Sequence, residues 1–259
     1  MAKLLPTDEH AWKIDCIIRT LNFDNQEDSW EHISSWLQMA SGLDDVNLIT
    51  EKFDSSIYYC SSALYFQNER SDMLSILAKE LSFFNFVWGA FESILETLEP
   101  LIEGCNIQSY GKINATSYIL RKKQVPLLSG YTASLNNLQT LFKTLITKNI
   151  NYDHITFKGK GIYIVSKIRN QFAHGALLLP YDPDNFPDSE KSHSALINIS
   201  SRIVLLTIQM LLLSIFFEKD IELENLFLFD ELNDKETIPL NTLLKSVHTE
   251  EFKEMFIEE

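Results

Sequence analysis

At residues 164–175 the chain reads IVSKIRNQFAHG, and the fold that we predict is worked out from this stretch. Its apolar residues recur at the spacing of one buried helix face, and they are Ile164, Val165, Ile168 and Phe172. Gly175 follows directly, and glycine commonly ends a helix. We therefore predict an amphipathic helix that stops at Gly175 and carries His174 in its last turn.

Three polar residues lie near the end of this helix: Arg169, Asn170 and His174. The partial negative charge of a helix C-terminus favours a protonated imidazole at His174. A histidine that titrates near neutral pH, beside a permanently charged arginine, suits work on a phosphodiester. At about 100° per residue, Asn170 and His174 lie within about 40° of each other, whereas Arg169 lies about 140° from His174. One helix does not aim Arg169 and His174 at one point, but two copies crossing near a two-fold axis could interleave them.

Arg169, Asn170 and His174 resemble the signature of the HEPN superfamily, an arginine followed four to six residues later by a histidine, often with a polar residue after the arginine. The resemblance covers about twelve residues closely and the surrounding helical pattern loosely. It implies an all-α, HEPN-like helical bundle and a metal-independent endoribonuclease that needs no cofactor. His174 would move the proton, Arg169 would stabilise the phosphate charge, and Asn170 would orient His174 or a phosphate oxygen. It also implies a homodimer with a composite active site.

Glu92 is a supporting candidate, because WGAFE at residues 88–92 places it in a Trp-x-x-x-Glu frame. That frame resembles a polar position on the helix that faces the motif in many HEPN proteins. Two other interpretations stay open. Arg169 could pair with a carboxylate such as Glu92 while His174 caps the helix. Residues 167–174 also resemble the end of mannitol-operon-repressor-type helical proteins, which favours a non-catalytic helical dimer that binds a regulatory partner or RNA.

Charge is distributed unevenly along the chain. Residues 112–169 hold ten basic side chains and one acidic side chain, Asp153, so this segment carries +9 while the whole chain carries −14. Such asymmetry predicts a local phosphate-binding surface on an acidic body, although dispersed, solvated lysines are the alternative. We read residues 111–128 as a basic connection and residues 158–161 as a glycine-rich turn. The predicted RNA-binding residues are Arg121, Lys122, Lys123, Lys158, Lys160 and Lys167.

Composition favours a globular, cytoplasmic protein. Hydrophobic residues make up 45% of the chain, and eight glycines and seven prolines are too few for a disordered chain or a many-turned β-sandwich. The cysteines lie far apart, so we expect buried, reduced thiols and neither a disulfide framework nor a zinc site. No secretory segment is visible at the start. Asp182, Asp184 and Asp188 lack metal-site spacing, and we predict no metal site.

Helical periodicity predicts further helices over residues 7–21, 29–40, 69–98, 135–147 and 195–217, with Ser71 as the N-cap of the helix near residues 69–98, and two short helices over residues 223–232 and 240–257. Residues 46–66 stay ambiguous between a hairpin and an aromatic helix. Residues 195–217 are strongly apolar but contain Asn198, Arg202 and Gln209, which favours a core or dimer helix over a membrane anchor. We expect an N-terminal helical extension (1–68), a HEPN-like core (69–218) and an acidic C-terminal helical segment (219–259) in one compact unit. The expected partners are RNA, a second copy of the chain and an antitoxin or regulatory protein, in a toxin–antitoxin or antiphage role.

Overall fold

The computed structural model describes residues 3–22, 27–146, 150–152, 155–175, 179–180, 182–183, 192–224 and 237–250. Helices dominate this part of the chain, so the predicted all-α class is confirmed. The described helices are α1 (Thr7–Asn22), α2 (Asp28–Ser41), α3 (Ser61–Leu98), α4 (Ile107–Tyr110), α5 (Lys112–Lys122), α6 (Tyr131–Ile146), α7 (Phe157–Ala173), α8 (His193–Phe216) and α9 (Leu240–Ser246). Short 3₁₀ turns lie at Glu51–Phe53, Ser55–Tyr58 and Glu99–Leu101.

Helix α8 forms the centre of the fold, as its sequence predicts. It packs against α1, α3, α5, α6, α7 and α9. It is the one helix in the described ranges that is long and apolar enough to cross a membrane, with a mean hydropathy of 1.9 over the tested stretch. However, 89% of that stretch is buried inside the fold, which fits the core helix of a soluble protein.

The polar residues Asn198, Arg202 and Gln209 of α8 have hydrogen-bond partners. Asn198 donates to both carboxylate oxygens of Glu80, at 3.2 and 3.1 Å, while Arg202 and Gln209 enter a buried polar cluster with α1. Burying a polar group costs free energy unless it finds a hydrogen bond. These partners explain how an apolar core helix accommodates them.

Helix α3 is the longest element, with 38 residues and a length of about 57 Å. Its C-terminal half is buried in the core through large apolar residues such as Phe84 and Phe91. Its N-terminal part is flanked by residues 44–60, where Thr50 bonds to Gln67 and Ser71. This region exposes a set of rings that we call the aromatic surface: Phe53, Tyr58, Tyr59 and Tyr65.

A two-stranded antiparallel sheet and α9 close the described chain at its C-terminal side. β1 (Glu222–Glu224) pairs with β2 (Thr237–Pro239), with Leu223 opposite Ile238. A helix predicted over residues 223–232 is wrong at residues 223–224, which lie in β1, and residues 225–232 lie outside the described residues. The helix predicted over 240–257 is shorter, because α9 ends at Ser246, and residues 251–257 are not described.

The structure also bears on three further sequence predictions. The helix predicted to begin near Glu69, with Ser71 as its N-cap, begins at Ser61, and Ser71 lies inside it with its hydroxyl donating to the Gln67 carbonyl. Residues 46–66, left open between a hairpin and a helix, contain 3₁₀ turns at Glu51–Phe53 and Ser55–Tyr58 and the start of α3 from Ser61, and they form no hairpin. Of the cysteines, which are all free, Cys16 is buried and Cys105 is half-buried, but Cys60 is exposed.

The basic segment is more helical than its sequence suggests. Residues 112–122, read as a connection, form α5, because Ala115, Ile119 and Leu120 bury one face. Residues 158–161, read as a turn, lie in the first turns of α7. As a result, four predicted RNA-binding residues lie on helices: Arg121 and Lys122 on α5, and Lys158 and Lys160 on α7.

Candidate active site

The motif helix α7 is buried along one side and open at its C-terminal end. Ile164, Val165 and Ile168 are almost fully buried, as the apolar spacing predicts. The helix ends at Ala173, and Gly175 follows with a φ of +64°. The backbone N–H of His174 still donates to the Asn170 carbonyl at 3.2 Å, so His174 extends the last turn. The predicted stop at Gly175 is confirmed.

Asn170 and His174 are exposed, whereas Arg169 is half-buried and faces α3. The guanidinium carbon of Arg169 lies 5.9 Å from the centre of a Trp88 ring, within the range of a cation–π interaction. Among the described residues, no side-chain hydrogen bond joins Arg169, Asn170 and His174 to one another. A single chain therefore presents the three groups at one helix end without bringing them into contact with one another.

Glu92 holds in place the Trp88 ring that supports Arg169. The Trp88 indole N–H donates to Glu92 Oε1 at 2.8 Å, which fixes the ring over which Arg169 lies. The other Glu92 oxygen lies 3.1 Å from Lys112 Nζ, and Lys112 also pairs with Glu96 at 2.9 Å. Within the described part of the chain, Glu92 makes no ion pair with Arg169, so the direct pairing considered from the sequence does not form.

The environment of Lys112 shows how these charges are balanced. Partial burial alone would lower its pKa, but its hydrogen bonds to Glu96 and Glu92 outweigh that effect and raise the pKa above its ordinary value. Lys112 thus remains charged and neutralises the two carboxylates beside the motif. The sequence gives no specific signal for this role, because Lys112 is one of ten basic residues in the segment.

Aromatic packing fixes the last turn of α7 against α3. Phe172 meets Phe84 edge to face, with ring centroids 5.4 Å apart, and Phe84 stacks with Trp88 at 5.9 Å. The same α3 rings therefore support both the apolar and the cationic side of the motif helix. Sequence periodicity predicts these residues as core, but it does not reveal that Trp88 supports Arg169.

The predicted RNA-binding residues lie beside aromatic rings, at the end of α5 and along one cavity. Lys122, Lys160 and Lys167 place their ammonium groups over tyrosine rings, at 5.7, 5.1 and 4.9 Å from Tyr118, Tyr152 and Tyr163. Arg121, Lys122 and Lys123 are exposed at the end of α5. Arg121 and Lys158 line one cavity between α5 and α7. Basic side chains beside aromatic rings are typical of single-stranded nucleic acid surfaces.

A second cluster of arginine and histidine lies in the core, and sequence reasoning missed it. His10 Nε2 lies 2.8 Å from Gln209 Oε1, and Gln209 Nε2 lies 3.0 Å from His248 Nδ1 and donates to the Leu244 carbonyl at 2.7 Å. Arg202 donates to the Leu5 carbonyl and lies 3.5 Å from His10 Nδ1. These groups join α1, α8 and the segment after α9.

Burial controls protonation in this cluster. Desolvation, with Arg202 second, lowers the pKa of His10 well below its ordinary value. Desolvation also lowers the pKa of His248 to about 4 and that of Arg202 to about 10. Both imidazoles are therefore neutral near pH 7, and they serve as hydrogen-bonding parts of the core.

The described residues contain no group of three or more His, Cys, Asp or Glu side chains placed to hold a metal ion. Asp182 is described, whereas Asp184 and Asp188 of the predicted acidic loop lie outside the described residues. Comparisons with known protein families, with characterised proteins and with solved structures give no match for this chain. Any function must therefore be argued from the residues themselves.

Proposed function

We propose that this protein is a metal-independent endoribonuclease of HEPN type. One observation carries the proposal: Asn170 and His174 are exposed at the end of α7, and Arg169 is held half-buried beside them over the ring of Trp88. An imidazole and a guanidinium at an accessible helix end provide the proton transfer and the charge stabilisation that phosphodiester cleavage requires. The basic residues of α5 and α7 supply a surface for the RNA backbone.

In this reaction the ribose 2′-oxygen attacks the adjacent phosphorus while the bond from phosphorus to the 5′-oxygen breaks. His174 accepts the 2′-hydroxyl proton as general base, and the leaving 5′-oxygen takes a proton from a protonated His174, either the same one or that of the second copy. Arg169 stabilises the additional negative charge on the phosphate oxygens, and Asn170 orients His174 or the phosphate. The products are a 2′,3′-cyclic phosphate and a 5′-hydroxyl end. DNA lacks the nucleophile and is not cleaved.

The test is cleavage of single-stranded RNA in the presence of EDTA. Wild-type protein is expected to cut RNA but not the DNA of the same sequence, and His174→Ala to lower the rate about 10²-fold to 10⁴-fold. His32→Ala is the matched control, because His32 is an exposed histidine on a different helix, α2. Intact RNA with well-folded wild-type protein, or equal loss in both variants, contradicts the proposal.

We further propose that two copies complete the site, since one subunit does not bring Arg169 and His174 into contact. A mixture of His174→Ala and Arg169→Ala subunits tests this arrangement. If each site takes its arginine and its histidine from different subunits, a mixed dimer retains one intact site and regains activity that neither variant has alone. A mixture as inactive as its parts overturns the composite site and leaves the nuclease test unaffected.

In the cell we propose a cytoplasmic effector of toxin–antitoxin or antiphage type that is restrained by an antitoxin or another regulatory protein. Growth arrest on expression, relieved by His174→Ala, is the expected outcome, because RNA cleavage would be the cause of the arrest. Arrest that persists with His174→Ala at equal protein level would contradict an RNA-cleaving effector.

The aromatic surface favours a second candidate, a non-catalytic helical dimer that binds a regulatory partner or RNA. Exposed aromatic rings in one region are typical of interaction sites, and Tyr59 is 92% exposed. This function predicts a stable dimer in sedimentation experiments that is weakened by Tyr59→Glu, together with intact RNA. Metal-independent cleavage that depends on His174 rules it out as the main activity.

A further inference from the structure

A cavity of about 320 Å³ lies between the end of α5 and the start of α7. Small-molecule sites are usually about 300–1,000 Å³ in volume, so this space is large enough for a small ligand. It is separate from the motif, because Phe157 and His174 lie at opposite ends of α7, about 25 Å apart along the helix. Its lining residues are Leu120, Arg121, Gln124, Leu127, Thr156, Phe157 and Lys158.

Hydrogen bonds between elements hold the cavity walls in place. Ser117 Oγ of α5 lies 2.8 Å from Thr156 Oγ1, directly before α7. Lys158 Nζ donates to the Val125 carbonyl, which ties α7 to the loop that follows α5. The Tyr131 hydroxyl donates to the Lys158 carbonyl at 2.6 Å. The space is thus formed by three connected parts of the chain before any ligand binds.

The apolar wall includes an aromatic ring that is open to solvent. Phe157 is 47% exposed, although its ring contacts Tyr131 at 6.3 Å between centroids in an edge arrangement. Leu127 is also partly exposed, whereas Leu120 is buried behind it. An exposed, well-supported aromatic ring is a platform on which a nucleobase stacks with little regard to sequence.

The polar rim is cationic and contains an amide. Arg121 is exposed at the rim, and its planar guanidinium suits a phosphate group. Gln124 adds an amide that can donate and accept hydrogen bonds. From Gly104 to Tyr152 the sequence contains no Asp or Glu, so the α5 side brings no acidic side chain to repel an anion. These residues suit the parts of one nucleotide: Phe157 suits stacking of the base, Arg121 suits the phosphate, and Gln124 suits hydrogen bonds to the edge of the base.

We propose that this cavity binds one nucleotide of a single-stranded RNA, with its base on Phe157 and its phosphate on Arg121. The inference rests on the proposed function, since it adds a second contact point for the RNA that is cleaved at the other end of α7. A free nucleotide shares the same chemistry. The experiment therefore contains one arm for RNA and one for adenosine monophosphate.

Binding is measured by fluorescence anisotropy with a labelled RNA of about 12 nucleotides, in a His174→Ala background that leaves the RNA intact. Phe157→Ala is expected to weaken binding about tenfold or more, because loss of base stacking removes a large part of the contact energy. Phe157→Trp keeps a stacking ring and restores binding. Phe217→Ala, a change at another partly exposed phenylalanine, leaves binding unchanged.

Salt dependence tests the phosphate contact separately. Arg121→Gln is expected to reduce the slope of log K against log salt by about 0.7, the value for one phosphate contact on a single strand. Lys219→Gln, at an exposed lysine beyond α8, leaves the slope unchanged. Phe157→Ala weakens binding at every salt concentration with the wild-type slope, since it removes no charge.

Adenosine monophosphate is added as a competitor in the second arm. If adenosine monophosphate displaces RNA from the wild-type protein but not from Phe157→Ala, the cavity accepts a single nucleotide unit, whether free or within a strand. If RNA binds but adenosine monophosphate does not displace it, the cavity binds only the RNA strand. The inference is wrong if Phe157→Ala leaves the RNA affinity unchanged and Arg121→Gln leaves the salt slope unchanged. These outcomes do not depend on cleavage: a protein that binds RNA here but never cuts it keeps this site and loses the proposed nuclease function.

Discussion

Two regions of this protein each combine arginine with histidine, but only one of them is accessible. At the end of α7, His174 and Asn170 are exposed and Arg169 is half-buried over Trp88. In the core, His10 and His248 are fully buried and connected to Arg202 and Gln209. The same residue types thus hold three elements together in one place and remain available to a ligand in the other. Burial, and not residue type, distinguishes the two roles.

The largest expected effect separates the two arginines. Arg169→Ala is expected to lower the RNA cleavage rate about 10²-fold to 10³-fold, because it removes charge stabilisation at the phosphate, with little change in thermal stability. Arg202→Ala is expected to lower the free energy of unfolding with little change in the cleavage rate, because the Leu5 carbonyl loses its buried donor and His10 Nδ1 loses its contact with the guanidinium. Cleavage rates per folded molecule and urea unfolding of both variants provide the measurement.

Arg169→Lys is the control for this comparison. It keeps the charge but loses the planar group that lies over Trp88, so an intermediate rate is expected. If Arg202→Ala, at equal folded fraction, loses as much activity as Arg169→Ala, the distinction between the two regions is wrong.

The next effect concerns the core cluster alone. Gln209→Leu keeps a similar volume but removes the hydrogen bonds that Gln209 makes to His10 Nε2, His248 Nδ1 and the Leu244 carbonyl. His248 keeps its contact with the Ser129 carbonyl through Nε2. We expect the free energy of unfolding to fall by about 3 kcal/mol, since each unsatisfied buried group costs about 1–3 kcal/mol. Equilibrium unfolding in urea measures it, and a loss below about 0.5 kcal/mol would show that the cluster does not hold the fold together.

Stability should also depend on pH through the buried histidines. The unfolded chain binds protons at these imidazoles below about pH 6.5, whereas folded His248 binds its proton only near pH 4. The free energy of unfolding therefore falls as pH decreases from about 6.5 to about 4, by up to about 3 kcal/mol for this residue. His10 changes stability in the same direction, because its pKa is also lowered.

A comparison of wild type with His248→Asn across this pH range isolates the contribution. The variant is expected to be less stable at pH 7 and to lose less stability on acidification. If the two proteins lose stability in parallel on acidification, folding does not lower the pKa of His248.

The smallest expected effect is at Gly175, beside the exposed motif. Its φ of +64° favours glycine, and among the described residues, apart from Gly175 and its chain neighbours, no atom lies within 4 Å of the position that a Cβ would occupy. Gly175→Ala should thus cost about 1 kcal/mol of stability through backbone strain alone, and Gly175→Asn should cost less because asparagine tolerates this region. Thermal unfolding of the two variants measures the difference, and equal losses would indicate a steric cause.

The strongly periodic parts of the fold could be predicted from the sequence. The buried face of α7, its stop at Gly175 and the core helix α8 follow from apolar spacing and glycine. Helix α5 was missed because its 11 residues mix polar and β-branched side chains, and packing of Ile119 and Leu120 stabilises it. The start of α7 was missed because glycine disfavours helices by about 1 kcal/mol.

Contacts between distant residues could not be predicted. His10 and Gln209 are 199 positions apart, and no local pattern connects them. The support of Arg169 by Trp88, and of Glu92 by Lys112, likewise depends on how α3, α5 and α7 pack. The sequence indicates which residues can perform chemistry, whereas packing decides which of them meet. The domain boundaries and the HEPN resemblance stay predictions.

The two glycines near the start of α7 have a consequence for how the motif can move. A Cβ at Gly159 would lie 2.8 Å from Ser117 Oγ, and one at Gly161 would lie 2.8 Å from both Ile203 and the Tyr131 hydroxyl. This close fit opposes sliding of α7 along its axis, so we expect motion at the motif to come from local opening of the last turn. Amide hydrogen exchange should accordingly be slow at residues 159–168 and become faster toward His174, a gradient of local opening along a single helix.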